Sequence, residues 1–252
     1  MDNSIDRAAE AITRAKHVIA LTGAGISTES GIPDFRSRGG LWEKFDPGEY
    51  ATIDVFYSNP EKVWRMLFEM IDLVRTARPN PGHTALAELE KMSKLACLIT
   101  QNIDNLHQEA GSVNVVEYHG NVSRLECLHC GTVYGQGDFD VDALVSSRIS
   151  PLCKKCGSVL KPTVILFGES IPHEATVRSE EAARKADVVL VIGTSAVVYP
   201  AAGIPLIAKQ NRAHIIEFNL EETGLTSYAT DIFIKGRTGD TLPELVRRLQ
   251  SL

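Results

Sequence analysis

Short, continuous apolar runs punctuate the chain at residues 17–22 (HVIALT), 96–100, 115–119, 163–167, 187–193, 213–219 and 231–235. Continuous apolarity, as opposed to alternation, predicts strands buried on both faces. Between several of these runs the apolar positions switch to helical spacing, at residues 81–92, 174–186, 200–210 and 241–252. At the start, Ser4 is positioned to cap a helix that carries Ile5, Ala8, Ala9 and Ile12 on one face and leads into the first run. Strand and helix in alternation predict an α/β fold built on a Rossmann-like, parallel, doubly wound sheet. Two stretches break the rhythm: residues 37–78, with an apolar helix around 63–74, and residues 120–162, which hold most of the cysteines. The expected division is therefore a large lobe of residues 1–36, 79–119 and 163–252 and a smaller lobe of residues 37–78 and 120–162. A chain of 252 residues has room for one such core and an inserted module.

Open parallel sheets bind ligands beyond the carboxyl ends of their strands, so the polar segments there are the candidate site. The first run is followed by Gly23-Ala24-Gly25-Ile26-Ser27, the second by Gln101-Asn102-Ile103-Asp104, and the third ends in His119-Gly120-Asn121. Later runs end in Gly193-Thr194-Ser195 and Asn219-Leu220-Glu221. Gly23-x-Gly25 resembles the opening of a dinucleotide fingerprint, in which missing side chains let backbone N–H groups approach a pyrophosphate. Thr28 stands where the third glycine belongs, and no acidic residue ends a second strand about 20 residues later, which argues against a hydride-transfer dehydrogenase. Asp104 has two readings, a ligand contact or a cap for a short helix at 105–110 closed by Gly111. Among seven histidines, His119, at the tip of a strand and followed by Gly120, has the best claim to face a cleft, with a structural role as the alternative.

Cys127-x-x-Cys130 and Cys153-x-x-Cys156 have the spacing of a zinc ribbon, each pair forming a knuckle that presents two thiolates. The alternatives are a disulfide pair or buried thiols. Four thiolates complete a tetrahedral zinc and leave no position for water, so the one ion is expected to be structural. His129 then belongs to the surface, and Cys97, inside an apolar run, to the core. Composition narrows the class further. The formal charge of −6 argues against a dedicated nucleic-acid binder. No apolar run reaches the roughly 18 residues of a membrane span, and Asp2, Asp6 and Glu10 make the first residues unlike a signal peptide. A cytoplasmic protein is expected.

The motifs Gly23–Ser27, Gly31-Ile32-Pro33-Asp34-Phe35-Arg36, Thr100–Asp104, His119-Gly120, the four cysteines, Phe167-Gly168-Glu169 and Gly193–Ser195 occur in an order and spacing that resembles the sirtuins, the Sir2 family of NAD-dependent protein lysine deacylases, over essentially the whole chain. The resemblance implies that NAD and an acyl-lysine meet between the two lobes. It assigns Gly23, Ala24, Gly25, Thr28, Phe35 and Arg36 to the cofactor loop, and Gln101, Asn102, Ile103 and Asp104 to the nicotinamide and its ribose. Gly193, Thr194, Ser195 and Asn219 would hold the phosphate and adenosine half, with Thr238 as an adenine contact. His119 and Asn102 would be catalytic: the acyl oxygen attacks the ribose carbon bearing nicotinamide, and His119 takes a proton from the ribose hydroxyls, a task for a base with a near-neutral pKa. Free lysine, nicotinamide and O-acetyl-ADP-ribose would result.

By the same resemblance Val164, Phe167, Gly168, Val197 and Val198 line the acyl-lysine channel, with the substrate peptide bound as an added strand. Core packing is the alternative for the apolar residues. Family members that prefer succinyl-lysine carry a Tyr-x-x-Arg pair where this chain has Leu67 and Met70. Burying a carboxylate there is costly, so neutral acyl groups are expected. The rival reading is an NAD-dependent protein ADP-ribosyltransferase, which shares cleavage of the nicotinamide bond.

Overall fold

The computed structural model describes residues 3–34, 40–135 and 137–252. Val18–Thr22 is buried at every position and forms β1. Side chains leave a strand to alternate faces, so five successive buried residues require cover on both sides. In chain order the other strands are β2 (Cys97–Thr100), β3 (Val115–Glu117), β4 (Leu125–Glu126), β5 (Val133–Tyr134), β6 (Lys161–Pro162), β7 (Val188–Ile192), β8 (His214–Asn219) and β9 (Ile232–Lys235). The main sheet has the order β3-β2-β1-β7-β8-β9, every pair parallel. The chain reverses its direction of winding between β1 and β7, and that switch point is where such sheets open a crevice.

Alternate residues of the strands divide into two cores. Ala20, Leu98, Leu190, Ile216 and Phe218 face helices Ser4–Arg14, Pro81–Lys91 and Thr238–Gln250. Ile19, Leu21, Ile99, Val189, Val191 and Ile215 face His173–Lys185 and Ile204–Gln210. The sheet is thus the middle of three layers, as the continuous apolar runs require. A third apolar cluster gathers residues of 41–74 and 122–160 around helix Pro60–Thr76 and the small antiparallel sheet β5-β4-β6. Trp64 is fully buried there, and its indole N–H donates to the Leu160 carbonyl at 2.8 Å. The helix begins where Asn59 accepts from the Lys62 N–H and Pro60 occupies the first turn, a position that tolerates proline's missing N–H.

Two expectations are corrected. Asn3, not Ser4, holds the cap position of the first helix; Ser4 is its first residue and is buried. Residues 163–167 are not a strand of the main sheet. Their backbone N–H groups bond in turn to Arg124 O (from Thr163), His119 O (from Ile165) and Ala51 O (from Phe167), so the segment runs extended between the two sheets and strand pairing is limited to one bridge, Thr52 with Phe167. Its apolarity has another cause: Val164 and Leu166 pack into the third cluster.

Candidate active site

The loops after β1 and β7 touch backbone to backbone. Gly23 N–H donates to Ile192 O at 3.0 Å and Gly25 N–H to Gly193 O at 2.8 Å. A Cβ on Gly25 would lie 2.7 Å from Gly193 O, and one on Gly193 would lie 2.5 Å from Ile26 N. These glycines are therefore required by the approach of two strand ends, and the N–H groups of Gly23 and Gly25 are already spent on that contact. Other strand ends join the same rim. Gln101 Nε2 donates to Thr194 Oγ1 at 3.0 Å and Asn219 Nδ2 to Thr194 O at 3.1 Å. Ala24 is half-buried, Thr28 and Ser195 are exposed, and Thr194 is buried. Thr238, at the start of the last helix, donates to Glu29, whose carboxylate also accepts the Gly239 N–H. Phe35 and Arg36 lie outside the described residues.

Beneath the rim Ser27 is the hub of a buried polar network. Its hydroxyl donates to Asp104 Oδ2 at 2.6 Å and accepts from Asn102 Nδ2 at 3.0 Å. His83 Nε2 lies 3.4 Å from the same oxygen. Because the Asn80 backbone N–H donates to His83 Nδ1, the remaining proton of the neutral ring sits on Nε2 and points at Ser27. Burial pushes the His83 pKa down to about 4 and that of His107, its ring neighbour at 4.9 Å, well below the usual value, so both are neutral near pH 7. Burial pushes the Asp104 carboxyl up, against the opposing hydrogen bonds from Ser27 and Leu106. Asp104 accepts the Leu106 N–H at 3.0 Å, bracing the first residue of the short helix Leu106–Glu109, whose cap position is held by Asn105, and it faces the network at once. Ser27, Asn80 and His83 were absent from the expected site residues. An Asn-Pro pair opening a helix marks Asn80 as a cap, but nothing local reports that its side chain also reaches Ile26 O.

His119 stands between the loop after β2 and the extended segment 163–167. Its Nδ1 lies 3.1 Å from Gln101 O, and a carbonyl only accepts, so Nδ1 carries the proton and Nε2 keeps its lone pair. Burial lowers its pKa, with the hydrogen bond to Gln101 opposing, which leaves a neutral base at physiological pH. Its carbonyl holds the Ile165 N–H at 2.9 Å, tying the histidine to the extended segment. Gly120 next to it has φ +75, and a Cβ there would lie 1.9 Å from Thr163 O.

Along that segment the faces alternate: Val164 and Leu166 are buried in the third apolar cluster, Ile165 is half-buried and Phe167 is 45% exposed. The side chain of Val164 thus packs inward, as the core alternative has it, and Ile165 shares the outward face with Phe167. Period-two spacing from Phe167 was the signal for Ile165. The Phe167 ring meets Trp42 at 6.2 Å. Gly168 and Val197 are exposed, Val198 is half-buried, and Ile103 packs against the third apolar cluster.

The four cysteines Cys127, Cys130, Cys153 and Cys156 converge, their Sγ atoms all within 4.8 Å of one another. Pairs at 3.4 Å and 3.6 Å are far beyond the ~2.05 Å of a disulfide and near the roughly 3.8 Å edge of a tetrahedron with ~2.3 Å zinc–sulfur bonds. The donor set fits one structural zinc. His129 is exposed. Cys97 is buried, which pushes its thiol up to about 11 and leaves it an unreactive core residue.

Residues 23–200 match the Sir2 family. This chain belongs to that family. The Sir2 relative NAD-dependent protein deacylase 2 of Pyrobaculum aerophilum is 48% identical over 242 residues, 96% of this chain and 94% of its own. A crystal structure of a Sir2 homologue–NAD complex shares 42% identity over 98% of this chain and 94% of its own, with a TM-score of 0.89. The structure of Sir2Af2 bound to a myristoylated histone peptide, 39% identical, covers 100% of this chain and 98% of its own with a TM-score of 0.84. Among the described residues no helix is long and apolar enough to cross a membrane.

Proposed function

We propose that this Sir2-family enzyme is an NAD-dependent protein lysine deacylase that removes neutral acyl groups, acetyl and longer apolar chains, in preference to succinyl, and releases nicotinamide and O-acetyl-ADP-ribose. The observation that carries the reading is His119: a neutral imidazole with a free Nε2, bonded on one side to the loop after β2 and on the other to the extended segment 163–167. NAD, when bound, supplies a ribose carbon whose positively charged nicotinamide is a good leaving group. The crevice at the switch point suits it, because the ends of β1, β2, β7 and β8 bring the side chains of Gln101, Thr194 and Asn219 to one rim. Gly23, Ala24, Gly25, Thr28, Phe35 and Arg36 form its covering loop in this reading, Asn102, Ile103 and Asp104 the nicotinamide end, Gly193, Ser195 and Thr238 the adenosine half.

His119 Nε2 accepts a proton from a ribose hydroxyl, and its Nδ1–H, held by Gln101 O, keeps the ring in the tautomer that allows it. Asn102 is oriented for its role by the bond from its Nδ2 to Ser27. The acylated peptide lies as an added strand between the segment carrying Val164, Phe167 and Gly168 and that carrying Val197 and Val198, where the exposed Phe167 and Val197 offer apolar walls. Leu67 is fully buried and Met70 half-buried with no cation at either position, so a succinyl carboxylate entering there goes unpaired. In the same reading the zinc lobe (37–78 and 120–162) and the large lobe (1–36, 79–119 and 163–252) are the two walls of the cleft. The acidic chain and its metal-type thiol cluster support a cytoplasmic enzyme acting on proteins rather than nucleic acid. Mass spectrometry of an acetyl-lysine peptide incubated with the protein, with and without NAD, tests the proposal: acetyl loss should require NAD and match nicotinamide release. Faster turnover of succinyl-lysine than of acetyl-lysine overturns the acyl preference, and an acceptor protein gaining ADP-ribose without acyl loss overturns the deacylase reading.

A further inference from the structure

Lys161 is wholly buried, a rare place for an ammonium. Nothing in the zinc cluster or in the proton transfer at His119 uses it. Its Nζ meets four acceptors: Glu126 Oε1 at 2.9 Å, Glu169 Oε2 at 3.2 Å, Pro162 O at 3.0 Å and Val164 O at 2.7 Å. Three N–H bonds divided among these satisfy the charge and its donors together, which is the condition for keeping a buried ion. The two carboxylates come from opposite directions. Glu126 belongs to β4, one residue before Cys127, and β4 pairs with β6, which carries Lys161 itself. Glu169 closes the outward-facing segment: its Oε2 also accepts the Leu166 N–H at 2.6 Å, and its own N–H donates to Leu166 O at 3.0 Å.

From this geometry we infer that Lys161 is a positioning residue for the deacylation reaction: it clamps the segment 163–169 to the zinc-bearing sheet in the shape that receives the acyl-lysine peptide. The inference rests on the reading of that segment as a wall of the peptide channel. The clamp accounts for three features at once. It fixes the carbonyl of Val164, it orients Glu169 so that the carboxylate folds the backbone back on Leu166, and by holding both it leaves Ile165 and Phe167 on the open face. Electrostatics favours the arrangement because two partly buried carboxylates, with side-chain exposures of 30% and 15%, flank one cation with no exposure. A neutral side chain at 161 would leave those carboxylates facing the carbonyls of Pro162 and Val164 with nothing between them, and the segment would have to open to let water in. The zinc sheet thereby reaches the substrate without contacting it.

The test compares Lys161→Met, Glu169→Gln and Lys161→Arg in the full-length, zinc-loaded protein. Lys161→Met and Glu169→Gln are expected to raise KM for an acetyl-lysine peptide about tenfold while KM for NAD stays within about twofold, since only one partner's wall has moved. Hydrogen exchange of the amides of residues 163–169 should quicken in both variants, with one zinc retained per chain. Lys161→Arg, which keeps the charge and offers a fork to the two carboxylates, should restore the peptide KM. Unchanged exchange over 163–169 in Lys161→Met overturns the clamp and leaves the channel reading untouched. Quickened exchange with an unchanged peptide KM overturns the channel reading, and the positioning role falls with it. Equal rises in both KM values, or loss of zinc in the Glu169→Gln variant, which keeps the lysine, assign the residue to general folding and overturn the inference.

Discussion

Gly120 should be intolerant of a single methyl group. Its φ of +75 costs an alanine about 1–2 kcal/mol by itself. The larger cost is spatial. A Cβ would stand 1.9 Å from Thr163 O and 2.8 Å from Thr163 C, so reaching an ordinary contact of 3.4 Å requires the neighbouring backbone to retreat by 3.4 − 1.9 = 1.5 Å. That backbone is held by the bonds Thr163 N to Arg124 O and Ile165 N to His119 O, worth about 1 kcal/mol each. Conformational cost and the two bonds sum to about 3–4 kcal/mol, a large part of the roughly 5–15 kcal/mol that stabilises a typical domain. Gly111→Ala provides the control: φ is +102 there and no atom lies within 4 Å of its Cβ, so it should cost only the conformational part. Urea unfolding of the three proteins at pH 7 measures both figures. Deacylation should fall about 100-fold in Gly120→Ala as well, since displacing the segment bonded to His119 by an ångström disturbs the reacting geometry. If Gly120→Ala unfolds within about 1 kcal/mol of the parent and keeps its rate, the close packing of residues 119–120 against 163–165 is not what holds the site.

Other tests follow from the same geometry. His119→Ala should lower deacylation by about 10²- to 10⁴-fold while nicotinamide exchange stays measurable, because the proton transfer comes later; an unaltered deacylation rate removes the residue from the reaction. Since His119 must be neutral to act and burial lowers its pKa, kcat/KM should be flat through neutral pH and fall only as pH drops below the usual histidine range; an acidic limb centred above pH 7 contradicts this. His83 makes stability itself depend on pH. An unfolded histidine binds a proton below pH 6.5, whereas the buried ring resists until about pH 4, so the unfolded state holds more protons in that window and stability falls with pH by about 3 kcal/mol. His107 acts in the same direction. Denaturation midpoints that decline equally in the parent and in His83→Gln between pH 7 and 4.5 would place the effect elsewhere. Cys130→Ser should lose zinc and loosen the small lobe, seen as lost metal and faster hydrogen exchange around β4 and β5; an intact lobe without metal denies the ion a structural role.

The sheet, its helical layers and the four-cysteine cluster were readable from local pattern, because burial on both faces, helical periodicity and CxxC spacing are properties of short stretches. The Sir2 resemblance likewise rested on short motifs in order. The apolar run at 163–167 suggests a strand of the main sheet for the same reason that the other runs do. Apolarity reports that a segment is covered, and only the tertiary structure decided that the cover is the third apolar cluster, met by Val164 and Leu166, while Phe167 on the opposite face stays exposed. Contacts between distant residues were out of reach altogether. Ser27 meets His83 and Asp104, and Lys161 meets Glu126, only because two loops and two sheets converge. Even the glycines of the first loop, which suggest a phosphate cradle in one dimension, serve in three the approach of one strand end to another. Local sequence specifies which residues must be buried or turned; which buried partner each polar atom finds is a property of the assembled fold.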